Sequence, residues 1–256
     1  MIVCLIQTRM GSTRLPGKVM KEVEGKPLLQ HMIERMVRSK FVDKFVVATS
    51  VKKENDVIEK LCEKLGIQCC RGSEDDVLDR YYQSAQSFDP IPEYIMRVTA
   101  DCPLQDPEVI DFVVKKFLEK KVDYMTNSFE PLYEDGFDVE IFKFSALEEA
   151  WRKAAKKSER EHVTPYIRNS TSFKKYYEKY CSTYTYKLSV DTPNDFELIK
   201  QIFSRLYAPG KIFGMNEVVS LLKADPSLLE INKESIINAG YQKSLLEDLQ
   251  QKKSSV

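Results

Sequence analysis

The chain has 256 residues, 43% hydrophobic and 30% charged, which is enough for one large α/β domain with a full core. Its 39 basic and 39 acidic residues cancel, which argues against nucleic-acid binding through bulk charge but leaves room for a local basic cleft. No apolar stretch approaches the ~20 residues that span a bilayer, and the start does not resemble a signal peptide, so we expect a cytoplasmic protein.

Short apolar runs alternate with amphipathic segments through the first half of the chain. The predicted strands are residues 2–6, 44–49, 67–70, 94–99 and 122–126, and the predicted helices are residues 27–39, 55–65, 77–88 and 107–120. Such alternation implies right-handed crossovers, and therefore a largely parallel sheet with helices on both faces.

The regular alternation of predicted strands and helices ends after residue 127. Strands are predicted over residues 137–144, 173–177 and 184–190, and helices over residues 145–156 and 161–168. A further helix starts at Thr192-Pro193, where a threonine N-cap precedes a proline. Because no flexible linker interrupts the chain, we expect one continuous domain, with its main part over residues 1–210 and a helical C-terminal extension over residues 211–256.

The cysteines indicate buried, reduced thiols rather than a metal site. The six cysteines form no C-x-x-C pair, and only two histidines accompany them. Spacing of the kind that binds zinc is therefore missing.

The loop that follows the first predicted strand, from Gln7 to Lys18, has the composition of a phosphate-binding loop. It carries two glycines, three small hydroxyl residues, two arginines and a lysine. Backbone N–H groups and fixed cations bind polyphosphates. The loop fails the Walker pattern, because Ser12 stands at its first glycine and Val19 follows the lysine.

Two aspartates each follow a predicted apolar strand, which makes them candidates for one metal site. Asp101 follows residues 94–99, and Asp191 precedes the helix that starts at Thr192. Mg²⁺ prefers carboxylate oxygens and usually takes one or two of them from the protein, together with substrate phosphate. Each aspartate is also explained by a local role, Asp101 in a turn and Asp191 at a helix start.

A third group of candidates follows the strand over residues 67–70. Arg71 and Ser73 are expected either to contact a nucleotide base or ribose, or to belong to a solvated turn. Weaker candidates for chemistry are Glu161, His162, Asp138 and Glu140.

These segments resemble, in matching order, the motifs of the CMP-sugar synthetases over about residues 1–205. The chain is most similar to the spore-coat polysaccharide cytidylyltransferase-like family (SpsF), and also to the octulosonate and acylneuraminate cytidylyltransferases. The motifs that carry the resemblance are Gln7-Thr8-Arg9-Met10-Gly11-Ser12-Thr13-Arg14-Leu15-Pro16-Gly17-Lys18, Arg71-Gly72-Ser73-Glu74-Asp75-Asp76-Val77-Leu78-Asp79-Arg80-Tyr81-Tyr82, Arg97-Val98-Thr99-Ala100-Asp101-Cys102-Pro103-Leu104, Glu159-Arg160-Glu161-His162-Val163-Thr164-Pro165-Tyr166 and Val190-Asp191-Thr192-Pro193.

The resemblance implies a GT-A-like (nucleotide-diphospho-sugar transferase) three-layer αβα sandwich, a nucleotidyltransferase domain over residues 1–210, a homodimer and a requirement for Mg²⁺. It assigns triphosphate binding to Arg9, Arg14 and Lys18, and metal binding to Asp101 and Asp191. The wider nucleotide-binding set that we predict is Gln7, Arg9, Gly11, Ser12, Arg14, Lys18, Arg71, Ser73 and Thr99. The catalytic set that we predict is Arg14, Lys18, Asp101 and Asp191.

The chain departs from the better-known enzymes at three of these positions. Ala100 replaces a glycine, Thr99 stands at a glutamine that contacts the base in the octulosonate enzymes, and Gln7 replaces a small residue. The departures bear on the base and the acceptor more than on the type of reaction.

The expected reaction is transfer of CMP from CTP to a small acidic or phosphorylated sugar, with Mg²⁺ as cofactor and neither nucleic acid nor membrane as partner. Catalysis would consist of positioning and charge neutralisation during an in-line displacement at the α-phosphorus. Two alternatives remain open, a glycosyltransferase of the same fold and a non-catalytic nucleotide-binding protein.

Overall fold

The computed structural model describes residues 1–128, 134–178 and 186–254. The strands in these ranges are β1 (Ile2–Gln7), β2 (Glu22–Val23), β3 (Lys26–Pro27), β4 (Lys44–Ser50), β5 (Gln68–Gly72), β6 (Tyr94–Thr99), β7 (Tyr124–Thr126), β8 (Glu140–Lys143) and β9 (Lys175–Tyr177). The α-helices are α1 (Leu28–Met36), α2 (Asp56–Leu65), α3 (Val77–Gln86), α4 (Pro107–Lys120), α5 (Phe144–Lys153), α6 (Lys157–His162), α7 (Pro165–Asn169), α8 (Pro193–Leu206), α9 (Met215–Ala224) and α10 (Ala239–Ser254).

The central sheet has the strand order β5-β4-β1-β6-β8-β7-β9. Its pairings are parallel except for those of β8, which runs antiparallel to both β6 and β7. The prediction of a mainly parallel sheet is therefore confirmed. Because β1 lies between β4 and β6, the loop that leaves its carboxyl end is flanked by the ends of two parallel strands.

Both faces of the sheet are covered by helices, which explains why β1 is an uninterrupted apolar run. Cys4 and Ile6 point into a core shared with α1, α2 and α4. Val3 and Leu5 point into a second core, shared with α3, α5 and α7. The strands thus form the middle layer of an α/β structure whose polar residues concentrate where the strands end.

A third apolar cluster joins the C-terminal helices to the first half of the chain. Met215, Val218 and Leu222 of α9 pack in the same cluster as α8 residues and as Leu15 of the β1 loop. The domain boundary at residue 210 remains a prediction, and this packing shows that the chain on its two sides shares one core.

The elements predicted for the first half of the chain are confirmed, with ends that shift by no more than three residues. The predicted helix over residues 161–168 is wrong, because α6 ends at His162 and α7 starts at Pro165. Between them Val163 has φ of 68°, a left-handed conformation that is unfavourable for a β-branched residue and ends the helix.

The predicted strand over residues 184–190 is not found in its described part. Residues 184 and 185 lie outside the described residues, and residues 186–190 contribute one isolated bridge, from Lys187 to Asp135. The Asp135 carboxylate accepts hydrogen bonds from the N–H groups of Leu188 (3.1 Å) and Ser189 (2.9 Å). A side chain thus replaces the ladder partners that a strand would need.

The cysteines of the described ranges are free, with Cys4, Cys62 and Cys102 buried and Cys69 and Cys70 partly buried. The prediction of buried thiols is confirmed for Cys4, Cys62 and Cys102, while Cys181 lies outside the described residues. None of the helices that the structure describes is both long and apolar enough to cross a bilayer.

Candidate active site

The loop after β1 folds back over the end of its own strand. The carbonyl oxygen of Met10 accepts hydrogen bonds from the N–H groups of Ser12 (2.9 Å) and Gly17 (3.0 Å). Gly17 has φ of 66°, which glycine adopts without steric cost. A 3₁₀ turn follows at once, and its first residue is Lys18.

Lys18 connects the two predicted metal-binding aspartates. Its Nζ donates to Asp101 Oδ2 at 3.1 Å, to Asp191 Oδ1 at 3.0 Å and to the Val190 carbonyl oxygen at 2.6 Å. Arg14 Nη2 lies 3.0 Å from the same Asp191 oxygen. The structure therefore brings together the four residues predicted as catalytic, which we call the strand-end cluster (Arg14, Lys18, Asp101 and Asp191).

Backbone contacts hold the two aspartates beside each other. The N–H of Val190 donates to the Asp101 carbonyl oxygen at 2.7 Å, which fixes the end of one segment against the other. The Asp195 carboxylate accepts from the N–H groups of Asp191 (3.0 Å) and Thr192 (2.9 Å). The threonine N-cap predicted at the start of α8 is thus present as part of a capping box with Asp195, which also fixes Asp191.

The electrostatics of the cluster favour the charged forms of Asp101 and Lys18. Burial alone would raise the pKa of Asp101, but the positive charge of Lys18 and hydrogen bonds from Thr99 and Lys18 outweigh it and hold that pKa well below its usual range. Burial opposes the charge of Lys18 in the same way, and the two carboxylates raise its pKa despite it. The side chain of Asp101 is 27% exposed and that of Lys18 is 12% exposed, so the cluster remains accessible.

Lys187, which the sequence did not single out, holds Asp191 from the other side. Its Nζ lies 3.2 Å from Asp191 Oδ2 and 3.5 Å from Asp195 Oδ2, and it donates to Ser189 Oγ at 2.7 Å. Its side chain is buried. Asp191 therefore has a cation on each carboxylate oxygen, which restricts its rotation.

Two more acids, Asp135 and Asp138, lie close to Asp101. Gly136 and Phe137 lie between them; Gly136 has φ of 102°, and a Cβ on it would be 3.0 Å from Leu188. Only glycine lets this turn approach the chain that leads to Asp191. Burial and the negative charge of Asp135 raise the pKa of Asp138 to about 7.

The remaining cation of the loop, Arg9, lies in a second charged group. Its Nη1 donates to Glu74 Oε1 at 2.8 Å, and Lys52 Nζ lies 3.9 Å from the same oxygen. Gly11 passes close by, and a Cβ on it would be 3.1 Å from Glu54 Oε1 and 3.4 Å from Glu74 Oε1. The structure thus places Arg9 next to Gly11 but records no contact of Arg9 with the strand-end cluster.

Arg71 and Ser73, which are predicted to contact a nucleotide, have partners within the protein instead. Arg71 is engaged with α2, where Nη1 lies 2.6 Å from Glu59 Oε2 and Nη2 lies 2.8 Å from Asp56 Oδ1. Ser73 Oγ accepts a hydrogen bond from the Asp76 N–H at 3.0 Å, at the start of α3. The structure gives both residues local partners, and their nucleotide contacts remain predictions.

Gln7 and Thr99 lie side by side at the ends of β1 and β6. Thr99 Oγ1 is 3.7 Å from Cys102 Sγ, and Gln7 Oε1 accepts from Arg97 Nη2 at 3.2 Å. Arg97 in turn forms an ion pair with Glu140.

Glu140, a weaker candidate for chemistry, is fully engaged as a structural anchor. It pairs with Arg97 and accepts from Tyr124 OH at 2.5 Å and from Thr164 Oγ1 at 2.6 Å. We call these four residues the anchor cluster (Arg97, Tyr124, Glu140 and Thr164).

His162, another weaker candidate, is packed against the C-terminal helix. Its Nε2 is 2.9 Å from Ser244 Oγ, which donates to Glu161 Oε2 at 3.0 Å. Burial and the positive charge of Arg97 lower the pKa of His162 to about 4.

The donor set of the strand-end cluster suits Mg²⁺. The described residues include no group of three or more His, Cys, Asp or Glu side chains arranged to hold a metal ion. Two carboxylates nevertheless meet on one ammonium group, and Mg²⁺ requires only one or two protein carboxylates when phosphate and water complete its shell. Asp101 and Asp191 would hold the ion, provided that Lys18 moves to another anion.

The chain as a whole is similar to known nucleotide-using proteins. The family model described as Cytidylyltransferase matches residues 3–252. The spore coat polysaccharide biosynthesis protein SpsF of Bacillus subtilis is 34% identical over 240 residues, covering 88% of this chain and 95% of that protein. A 3-deoxy-manno-octulosonate cytidylyltransferase of Trichlorobacter lovleyi is 35% identical over 119 residues, covering 46% of this chain and 45% of that protein.

Among solved structures, a cytidylyltransferase from Leptospira borgpetersenii is similar over nearly the whole chain. The TM-score is 0.84 at 34% identity, and the match covers 93% of this chain and 99% of that one. The similarity extends through residues both before and after position 210.

Proposed function

Since the chain belongs to the cytidylyltransferase family, as its motifs predicted, we propose that it transfers CMP from CTP to an acidic or phosphorylated sugar and releases pyrophosphate. We further propose that the product serves the synthesis of a cell-surface polysaccharide or glycan. The names of the SpsF and octulosonate relatives support a sugar as acceptor.

The observation that carries the proposal is the position of the Lys18 ammonium group between two carboxylates. Lys18 and Arg14 each contact Asp191, and Lys18 also contacts Asp101. Cations and anions that pair in this way can exchange partners when a metal–triphosphate complex arrives. Phosphate would take Lys18 and Arg14, and the metal would take the two aspartates.

Each residue then has a defined role. Arg9, Arg14 and Lys18 would bind the β- and γ-phosphates that leave as pyrophosphate, and loop N–H groups would add hydrogen bonds. Asp101 and Asp191 would hold Mg²⁺. The bound ion would neutralise phosphate charge and polarise the α-phosphate. The protein's own contribution is positioning, which accounts for much of the catalysis of phosphoryl-type transfers.

A pyrophosphate-release assay tests the proposal. The full chain is incubated with Mg²⁺, each of the four nucleoside triphosphates and a panel of acid sugars and sugar phosphates. We expect release with CTP that depends on both acceptor and metal. Failure to release pyrophosphate with any acceptor, together with transfer or hydrolysis of a nucleotide sugar, would support a glycosyltransferase instead. Nucleotide binding without any turnover would support a non-catalytic protein.

We also propose that the protein acts in the cytoplasm as a homodimer, since the family resemblance implies a dimeric enzyme. Sedimentation equilibrium of the full chain would give twice the monomer mass of 29.7 kDa. Cell fractionation would place the protein in the soluble fraction that contains its nucleotide substrate. A monomeric mass would contradict the proposed homodimer.

A further inference from the structure

The two polar atoms of the Gln7 side-chain amide, Oε1 and Nε2, differ in their hydrogen bonding. Gln7 is the last residue of β1, and its carbonyl oxygen accepts from the Ala100 N–H at 2.9 Å. Its backbone pairs with Ala48 on one side and Thr99 on the other. The residue therefore lies in the middle of the strand ends, immediately before the loop that carries Arg9, Arg14 and Lys18.

The side-chain oxygen of Gln7 is occupied, while its nitrogen is free to bind a ligand. Arg97 Nη2 donates to Gln7 Oε1 at 3.2 Å. Because a guanidinium group only donates, the amide atom that faces it must be the oxygen. Nε2 has no acceptor among the residues that the structure describes, and it is not sealed from solvent.

The anchor cluster fixes this orientation. Glu140 pairs with Arg97 and accepts from Tyr124 and Thr164, so the guanidinium is held from the side opposite to Gln7. The side chains of Arg97 and Glu140 are only 14% and 8% exposed. A flipped amide would set its NH₂ group against a buried cation and lose the hydrogen bond. Gln7 is therefore restricted to donating.

We propose that Gln7 Nε2 donates a hydrogen bond to N3 of cytosine and so makes the site prefer CTP over UTP. This inference rests on the proposed function. Cytosine offers an acceptor at N3, whereas uracil carries an N–H donor at that position, and O2 is an acceptor in both bases. A donor that cannot rotate would oppose that N–H, and an unpaired polar group in a binding site is costly.

Calorimetric titration of the full chain with CTP and with UTP, each with Mg²⁺, tests the inference without any acceptor. We expect wild-type protein to bind CTP at least about tenfold more tightly than UTP. Gln7→Glu keeps one oxygen for Arg97 and presents an acceptor in place of the donor. CTP affinity should then fall by about tenfold or more, and the preference should disappear or reverse.

Gln7→Ala serves as a second variant, because it removes the donor without adding a charge. It should weaken CTP binding and leave UTP binding nearly unchanged. The matched control is Gln68→Glu, since Gln68 is exposed at the start of β5, an edge strand that is separated from β1 by β4. The control should bind both nucleotides like the wild type.

The outcomes separate the two proposals. If the wild type binds neither CTP nor UTP, the proposed function itself fails. If it prefers CTP and both Gln7 variants retain that preference, only the role of Gln7 is refuted. A uniform loss for both nucleotides would also refute it, because the residue would then act through the phosphate loop rather than on the base.

Discussion

The strand-end cluster and the anchor cluster are built from similar groups but are engaged in different ways. In the first, Lys18 is shared between two carboxylates, and the side chain of Asp101 is 27% exposed. In the second, Glu140 is buried, and both of its oxygens are engaged by Arg97, Tyr124 and Thr164. We propose that the first cluster exchanges partners with a ligand, whereas the second holds its own members in place.

Charge alone therefore does not identify a reactive site in this fold. Both clusters combine buried cations with carboxylates near strand ends. Greater accessibility distinguishes the group proposed to bind a substrate from the group that positions a neighbouring side chain, since the side chains of Arg14 and Asp101 are 42% and 27% exposed. Substitutions in the anchor cluster should therefore affect stability first, and substitutions in the strand-end cluster should affect catalysis first.

The largest expected effect is on stability, in the variant Glu140→Gln. Removing this charge leaves Arg97 buried without its counter-ion, and breaking a buried pair typically costs about 3–5 kcal/mol. Chemical denaturation monitored by circular dichroism measures the change. The control Glu148→Gln removes an exposed pair with Arg152 and should cost no more than about 1 kcal/mol. Equal losses in both variants would contradict the distinction between the clusters.

The next effect is on activity, in Asp101→Asn and Asp191→Asn. Each substitution removes a charge assigned to the metal and should lower turnover by about 100-fold or more. Thermal unfolding should shift less than in Glu140→Gln, because the strand-end cluster is more accessible. The control Asp225→Asn changes an acid near the end of α9 and should retain full activity. Turnover near the wild-type value in either test variant would refute its role.

A smaller effect is expected for Lys18→Ala, mainly on nucleotide affinity. CTP binding should weaken by about tenfold, since one charged hydrogen bond to phosphate is lost. Without Lys18 the two aspartates repel each other, so the melting temperature should fall in EDTA and recover when Mg²⁺ is added. Melting curves with and without the metal measure this difference. Unchanged CTP affinity would show that the loop binds phosphate in another way.

The smallest expected effect is the pH dependence of the stability difference between wild type and Glu140→Gln. Burial would raise the pKa of Glu140, but the positive charge of Arg97 outweighs it and the pKa is lowered. A depressed pKa contributes stability above the unfolded value, and this contribution is lost as the pH falls through the folded value. The stability difference between wild type and Glu140→Gln should therefore be largest near neutral pH and shrink below about pH 4. A difference independent of pH would contradict the ion pair.

Local patterns in the sequence predicted β1, the cationic loop and both strand-end aspartates. They could not predict the pairings, because Lys18 and Asp191 are 173 positions apart. Lys187 was missed for the same reason, since nothing in its immediate sequence indicates two carboxylate partners. The helix break at Val163 was missed because its left-handed backbone depends on tertiary packing rather than on propensity.

The most direct test of the central claim is a crystal structure of the full chain with CTP and Mg²⁺. If the strand-end cluster exchanges partners as proposed, Lys18 leaves the two carboxylates for a phosphate oxygen, Arg14 also contacts phosphate, and the metal binds Asp101 and Asp191. A triphosphate bound elsewhere, or a Lys18 that still connects the two aspartates in the presence of the nucleotide, would contradict it.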